Sequence, residues 1–228
     1  MAEFSFRFFD RSDDYSVVER RLPHWLQIGT LTFIAFRTDD SLPRHVIEEW
    51  KNEQSRLLLE QGIDPLAADW KQQLLKLPMV IQNDIQNCLS EKWHNDLDAG
   101  YGKCVLRQPE LAMFVADSLH KFDGDRYELT DFIIMPNHVH LLAAFADEKS
   151  MLKQCESWKH FTAHQINRAL VQSGRFWQQD GFDHLVRSEE QFYWLRNYIA
   201  QNPVKAGLRN GEFLHYSCEL ETKDHGGA

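Results

Sequence analysis

Several features of secreted, membrane-spanning and cysteine-rich proteins are missing from this sequence. No apolar run approaches the roughly 18 residues that a membrane span requires. The N-terminal stretch alternates apolar and charged residues and lacks the apolar centre of a secretory signal. The four cysteines are scattered and form no CxxC pair, which argues against a disulfide framework or a cysteine zinc site. We therefore expect a cytoplasmic protein with reduced thiols and no membrane association.

Positive charge is also scarce, because the formal net charge is −9. Such an acidic chain is poorly suited to general binding of a polyanion. Residues 151–209 are the exception, with eight Lys/Arg against five Asp/Glu. This local excess of +3 leaves −12 on the remainder of the chain. Any contact with nucleic acid is therefore expected on one locally basic face.

What the sequence does contain is enough apolar material for a real core, with 43% hydrophobic residues in 228. Periodicity predicts strands and helices in alternation. The predicted strands are 27–36, 127–135, 138–145 and 182–187; the predicted helical stretches are 45–98, 109–122, 151–171 and a last helix that starts after Ser188. This order suits an α+β fold with an antiparallel sheet and helices on one face. We expect a single domain, 1–228, with a helical insertion at about 45–100.

The last helix has the clearest boundary signals. Ser188 is a favourable N-cap, and Gln191 three residues later completes a capping box. Pro203 disfavours the helical conformation of the residue before it, so the helix is predicted to stop at Asn202.

Two histidines on the predicted strand 138–145 are candidate metal ligands. His138 and His140 are two residues apart, so both project from the same face of a strand, with Val139 on the other. Two adjacent imidazoles form half of a site for a divalent ion. The alternative is a pair of strand histidines satisfied by hydrogen bonds.

Tyr198 and Asn202 are four residues apart and share a face of the last helix. A tyrosine hydroxyl can attack a phosphate that a metal has polarised, and an amide oxygen can be a third metal ligand. The alternative for Tyr198 is a packing role among the aromatic residues around it.

These residues lie in segments that resemble a known family. The segment 135–142 (MPNHVHLL) is similar to the HUH motif, two histidines around a hydrophobic residue, of single-tyrosine transposases. The segment 198–208 (YIAQNPVKAGL) resembles the nucleophile helix of the REP-associated tyrosine transposases. Further similar stretches are 22–43, 100–112, 122–127 and 174–192. The resemblance extends from about residue 20 to 209.

The resemblance implies a ferredoxin-like α+β core with a catalytic C-terminal helix, acting on single-stranded DNA. It implies that Tyr198 attacks a phosphodiester, leaving a 5′-phosphotyrosine bond and a free 3′-hydroxyl. His138 and His140 would hold Mg²⁺ or Mn²⁺, and Asn202 would complete the site. The expected DNA is a hairpin of the REP type with a short guide sequence, bound by a monomer or homodimer.

Candidate DNA-binding residues come mainly from the basic segment, and each has an alternative role. Lys205 could reach a phosphate or remain a solvated lysine. Trp177 could stack on an unpaired base, but core packing is the competing role. The remaining candidates are Lys159, Arg175, Arg187, Arg20 and Arg21, the last two as readers of the guide nucleotides.

Two other functions fit the same residues. One is a hairpin-binding protein that does not cut DNA. The other is a zinc hydrolase that uses His138, His140 and a carboxylate such as Asp131. It would release its product by hydrolysis, without a covalent intermediate.

Overall fold

The structure is a computed structural model that describes residues 6–19, 23–82, 84, 85, 88, 89, 92, 99–146, 148–179 and 181–219, with the side chains of 17–19, 23–26, 148 and 149 left aside. The chain divides into two compact units. The first consists of Met1–Asp39 and Val105–Ala228, and the second of Asp40–Cys104. Among the described residues, no helix has the length and apolar character needed to cross a bilayer.

The second unit contains the span in which the sequence predicts a helical insertion. It holds helices α1 (Arg44–Glu60) and α2 (Trp70–Leu75). A small apolar cluster centred on Leu42 and Val46 forms part of its core. Whether the two units act as a single domain stays a prediction.

The first unit is built on an antiparallel sheet, which confirms the predicted α+β class. A hairpin of β1 (Ser16–Glu19) and β2 (Pro23–Leu26) precedes this sheet. The five strands of the sheet are β3 (Leu31–Arg37), β4 (Tyr127–Ile134), β5 (His138–Phe145), β6 (Phe182–Leu185) and β7 (Leu214–Ser217). Their spatial order is β6-β3-β5-β4-β7, so β5 lies in the centre.

Three helices cover the two faces of this sheet. They are α3 (Pro109–His120), α4 (Glu148–Ala169) and α5 (Glu189–Lys205). Helices α3 and α4 share one core with Val139 and Leu141 of β5, which places them together on one face. The prediction that the helices lie on one face is wrong for α5. Helix α5 shares a second core with Leu142 and Ala144, whose side chains point to the opposite face. The central strand is therefore buried on both sides.

Several element boundaries differ from the sequence prediction. The strand predicted at 27–36 begins at Leu31, because Thr30 N–H bonds to the Gln27 carbonyl and turns the chain. The paired strands β1 and β2 and the edge strand β7, each four residues long, were not predicted.

Helix α5 continues to Lys205, so the predicted stop at Asn202 is wrong. The helix ends instead in a Schellman closure at Gly207, which has a positive φ of 63°. Leu208 N–H bonds to the Pro203 carbonyl, and Gly207 N–H bonds to that of Val204. Pro203 is buried in the last turn, where only one backbone hydrogen bond is lost to the missing N–H.

Candidate active site

The register of β5 aims both histidines at helix α5. His138 and His140 lie on the same face as Leu142, and each is only 3% exposed. Their ring centroids are 4.7 Å apart. Two imidazole rings this close can each turn a nitrogen toward one ion at the usual ligand distance of roughly 2 Å. On the neighbouring strand β3, Arg37 is paired with His138, and the small Ala35 is paired with His140.

The tautomer of His138 is set by its neighbour in sequence. The Nδ1 atom lies 2.8 Å from the Asn137 Oδ1 atom. An amide oxygen accepts and cannot donate, so Nδ1 carries the proton and Nε2 keeps a free lone pair. This buried Nε2 makes no hydrogen bond of ordinary geometry among the described residues. A metal-bound histidine usually has this arrangement, in which one ring nitrogen donates a hydrogen bond and the other binds the metal.

The electrostatic setting keeps His138 neutral. Burial lowers the pKa of His138 to about 3, and the positive charge of Arg37 acts in the same direction. The Asn202 amide lies close enough to His138 to offset part of this lowering of the pKa. A neutral imidazole is the form that binds a metal ion.

Helix α5 brings Tyr198 and Asn202 to the same place. The Tyr198 ring centroid lies 5.5 Å from that of His140, and Phe33 on β3 packs against both rings. Asn202 is fully buried. Neither the Nδ2 nor the Oδ1 atom of its side chain makes a hydrogen bond of ordinary geometry within the part of the chain that the structure describes. An unpaired buried amide is costly, and such groups are usually satisfied by an ion, water or ligand.

These buried polar atoms fit a divalent ion. His138, His140 and the Asn202 amide oxygen form a mixed nitrogen and oxygen donor set, which leaves positions open for phosphate and water. In the described ranges, no group of three or more His, Cys, Asp or Glu side chains is placed to hold a metal. Beside the two histidines, the buried side-chain amide of Asn202 carries a further oxygen that can bind a metal ion.

The carboxylate required by the zinc-hydrolase alternative is engaged elsewhere. Asp131 on β4 is paired with Leu142, not with His140. Its Oδ1 atom accepts hydrogen bonds from Arg196 Nε at 2.9 Å and from Ser217 Oγ at 2.6 Å. This carboxylate links the sheet to α5 and does not complete a three-ligand group with the two histidines.

A second aromatic residue and a cation flank Tyr198. The Trp194 ring is stacked on the Tyr198 ring, with centroids 5.7 Å apart and an interplanar angle of 12°. The Lys205 Nζ atom lies 5.3 Å from the centroid of the Tyr198 ring. The other tyrosine of this helix, Tyr193, is half exposed and its ring packs against Phe192.

The predicted DNA-binding residues occupy different environments. Lys205 is exposed beside Tyr198. Arg187 is exposed and lies near His184. The burial of the His184 ring, and to a smaller extent the charge of Arg187, lowers the pKa of His184 to about 4. Arg175 is exposed, with its guanidinium 3.9 Å from the Asp39 carboxylate. Arg20 and Arg21 lie outside the described residues.

Two of the predicted contacts have structural roles. Trp177 is only 4% exposed, and its indole N–H donates to Thr162 Oγ1 at 2.8 Å. It packs in the core between β3 and α4, which supports the packing alternative over base stacking. Lys159 donates from Nζ to the carbonyls of Gln178 and Gln179, and so ties α4 to the segment before β6.

Sequence reasoning missed four residues that shape the site. They are Arg37, Asn137, Phe33 and Trp194. The spacing of Trp194, four residues before Tyr198, was a usable signal. Arg37 and Phe33 carried none, because their proximity depends on the pairing of β3 with β5.

Comparison with a family model agrees with the family resemblance over part of the chain. Residues 108–202, which include both histidines, Tyr198 and Asn202, match the family described as transposase IS200 like. A solved structure of a REP-associated tyrosine transposase bound to a REP hairpin is 12% identical, and the match covers 92% of this chain and 76% of that one with a TM-score of 0.42. No curated protein matches. The match over residues 108–202 agrees with the family resemblance predicted from the sequence.

Proposed function

We propose that this protein cleaves single-stranded DNA with Tyr198 as the nucleophile and with a divalent ion held by His138, His140 and Asn202. One observation carries the proposal above the others. The His138 Nε2 atom and the Asn202 side-chain amide are buried, lie close to each other and make no hydrogen bond of ordinary geometry among the described residues. The ring of His140, beside His138, lies 5.5 Å from the ring of Tyr198. Such atoms are expected where an ion or substrate completes the site.

In the proposed step the Tyr198 oxygen forms a bond to phosphorus while the bond from phosphorus to the 3′ oxygen breaks. The phenol proton passes to solvent, and the departing 3′ oxygen takes up a proton. A bound Mg²⁺ or Mn²⁺ supplies charge neutralisation at the phosphate oxygens. The product is a 5′-phosphotyrosine bond with a free 3′-hydroxyl, and attack by that hydroxyl rejoins the strand.

The surroundings of Tyr198 support this role. A free phenol has a pKa near 10, so attack at neutral pH requires stabilisation of the developing phenolate. The Lys205 ammonium, 5.3 Å from the ring centroid, supplies positive charge beside the nucleophile. Phe33, His140 and Trp194 contact the ring and restrict its orientation. Holding a nucleophile in a reactive orientation lowers the entropic part of the barrier.

The proposed substrate is a DNA hairpin with adjoining single-stranded nucleotides. It rests on the resemblance of the linked motifs to REP-associated tyrosine transposases. The locally basic segment 151–209 suits a confined phosphate-binding face. The competing function, hairpin binding without cleavage, predicts the same affinity for DNA but no covalent product.

Trapping the covalent intermediate tests the proposal. The protein is incubated with end-labelled hairpin DNA and Mn²⁺, and a protein–DNA adduct is sought on a denaturing gel. Tyr198→Phe should abolish the adduct while hairpin binding persists, because one hydroxyl is removed and the ring remains. Tyr193→Phe is the matched control and should react like the wild-type protein. Adduct formation by Tyr198→Phe would refute the assignment, and binding without any wild-type adduct would favour the non-cleaving function.

A further inference from the structure

We propose that the exposed indole of Trp194 is the binding platform for an unpaired nucleobase that adjoins the scissile phosphate. The inference rests on the proposed function only for the position of the phosphate. Its structural basis is the parallel stack of Trp194 on Tyr198, together with the exposure of Trp194.

Helix α5 has one side that packs on the sheet and a second side that carries exposed residues. Phe192, Leu195 and Ile199 are buried and form the side that packs on the sheet. Trp194 lies off that side and is 62% exposed. A large indole in this position contributes little to the core, and tryptophan is usually much more buried. The packing of α5 therefore does not explain why a tryptophan stands here.

A stripe on this second side joins three chemically distinct groups. The stripe begins at Trp194, and Tyr198 and Lys205 lie four and eleven residues after it. Both spacings return to nearly the same angle around a helix of 3.6 residues per turn. The two rings are stacked, and the Lys205 ammonium lies 5.3 Å from the Tyr198 centroid. The order along the helix is thus an aromatic surface, the nucleophile and a cation. A strand whose phosphate sits at Tyr198 would place a neighbouring base at Trp194.

The chemistry of the surface selects an unpaired base. An indole offers a flat π-face and one N–H donor, which suits stacking on a heterocycle and not recognition of a phosphate. Bases inside a duplex are stacked on their neighbours, whereas a base in a single strand has a free face. Aromatic platforms of this kind bind single-stranded DNA with little sequence preference. Trp194 should therefore fix the position of the strand without reading its sequence.

The test measures binding in a Tyr198→Phe background, so that no result depends on cleavage. Hairpin DNA with a single-stranded extension is prepared as a series, each member lacking the base at one position near the expected cleavage site. Affinity is measured for the parent variant and after adding Trp194→Ala, Trp194→Phe or, as the matched control, Tyr193→Ala. Thermal unfolding by circular dichroism establishes that each variant is folded.

Trp194→Ala should weaken binding of intact DNA roughly 5- to 150-fold, the range for loss of one base–aromatic stack. At one position of the series, removing the base should abolish this difference, because the stacking partner is already absent. Trp194→Phe should retain most of the affinity, and Tyr193→Ala should bind like the parent. Unchanged binding by Trp194→Ala, or an equal loss on every DNA of the series, would overturn the proposal. If the wild-type protein forms no adduct, the proposed cleavage is refuted. The dependence of the Trp194→Ala effect on the missing base can still be measured, because it is a property of binding alone.

Discussion

The ion pair between Asp131 and Arg196 ties the helix of the proposed nucleophile to the sheet. Arg196 lies two residues before Tyr198 on α5, and its Nε atom is 2.9 Å from Asp131 Oδ1. The same guanidinium donates to Ser217 Oγ and, at 2.8 Å, to the Cys218 carbonyl. The side chains of Arg196 and Asp131 are 19% and 2% exposed, so solvent screens this pair only weakly. We predict that Arg196→Met destabilises the first unit strongly.

The expected size follows from the burial of the partner left behind. Removing one member of a buried pair typically costs about 3–5 kcal/mol, because the remaining charge loses its compensation. For a chain of this size, each kcal/mol lowers the Tm by roughly 2–4 °C, so a decrease of about 6–20 °C is expected. Removing both charges in Asp131→Leu/Arg196→Met should restore much of the loss, since apolar replacements of buried pairs are often tolerated. Adduct formation through Tyr198 should fall in the single variant because α5 is less firmly placed.

Urea and thermal denaturation, followed by circular dichroism, provide the measurement. Arg168→Met is the matched control, because Arg168 is an exposed residue of α4 and its loss should change the stability by no more than about 0.5 kcal/mol. If Arg196→Met lies within about 1 kcal/mol of the wild-type protein, the pair does not hold α5 as argued. The same conclusion follows if the double variant is no more stable than Arg196→Met alone.

Two further predictions concern pH and salt. The pKa of His184 is about 4 in the folded protein, below the ordinary value of 6.5, so its neutral form is favoured by folding. The free energy of unfolding is therefore independent of His184 above about pH 6.5. It decreases as the pH falls toward 4, and at pH 5 it is about 2 kcal/mol lower than at neutral pH. His184→Gln should flatten that part of a stability–pH curve measured in chelator-containing buffer, and an unchanged curve would contradict the assignment. The affinity for hairpin DNA should fall as the salt concentration rises. If Lys205 neutralises one phosphate of a single strand, Lys205→Gln should reduce the slope of log affinity against log salt concentration by about 0.7. An equal slope in both proteins would show that Lys205 does not contact the DNA.

Local spacing was sufficient to predict which polar side chains share a face at the candidate site. Strand alternation alone places His138 and His140 on one face, and helical periodicity places Tyr198 and Asn202 on another. The N-cap at Ser188 was likewise predictable, and its hydroxyl accepts from the Gln191 N–H at 3.1 Å. These features depend on residues within a few positions of one another, so they are encoded in the sequence directly.

The surroundings of those groups depended on contacts between distant parts of the chain. Arg37 reaches His138 only because β3 pairs with β5 in one register, and a shift of one residue would turn every side chain to the other face. The sequence did not predict that α5 covers the sheet face opposite α3 and α4, because an amphipathic helix has no signal for which sheet face it covers. Burial of Trp177 and exposure of Trp194 were undecided for the same reason. The sequence by itself determined which side chains share a strand or helix face, and only the tertiary structure decided what each face meets, since that outcome depends on packing the whole core at once.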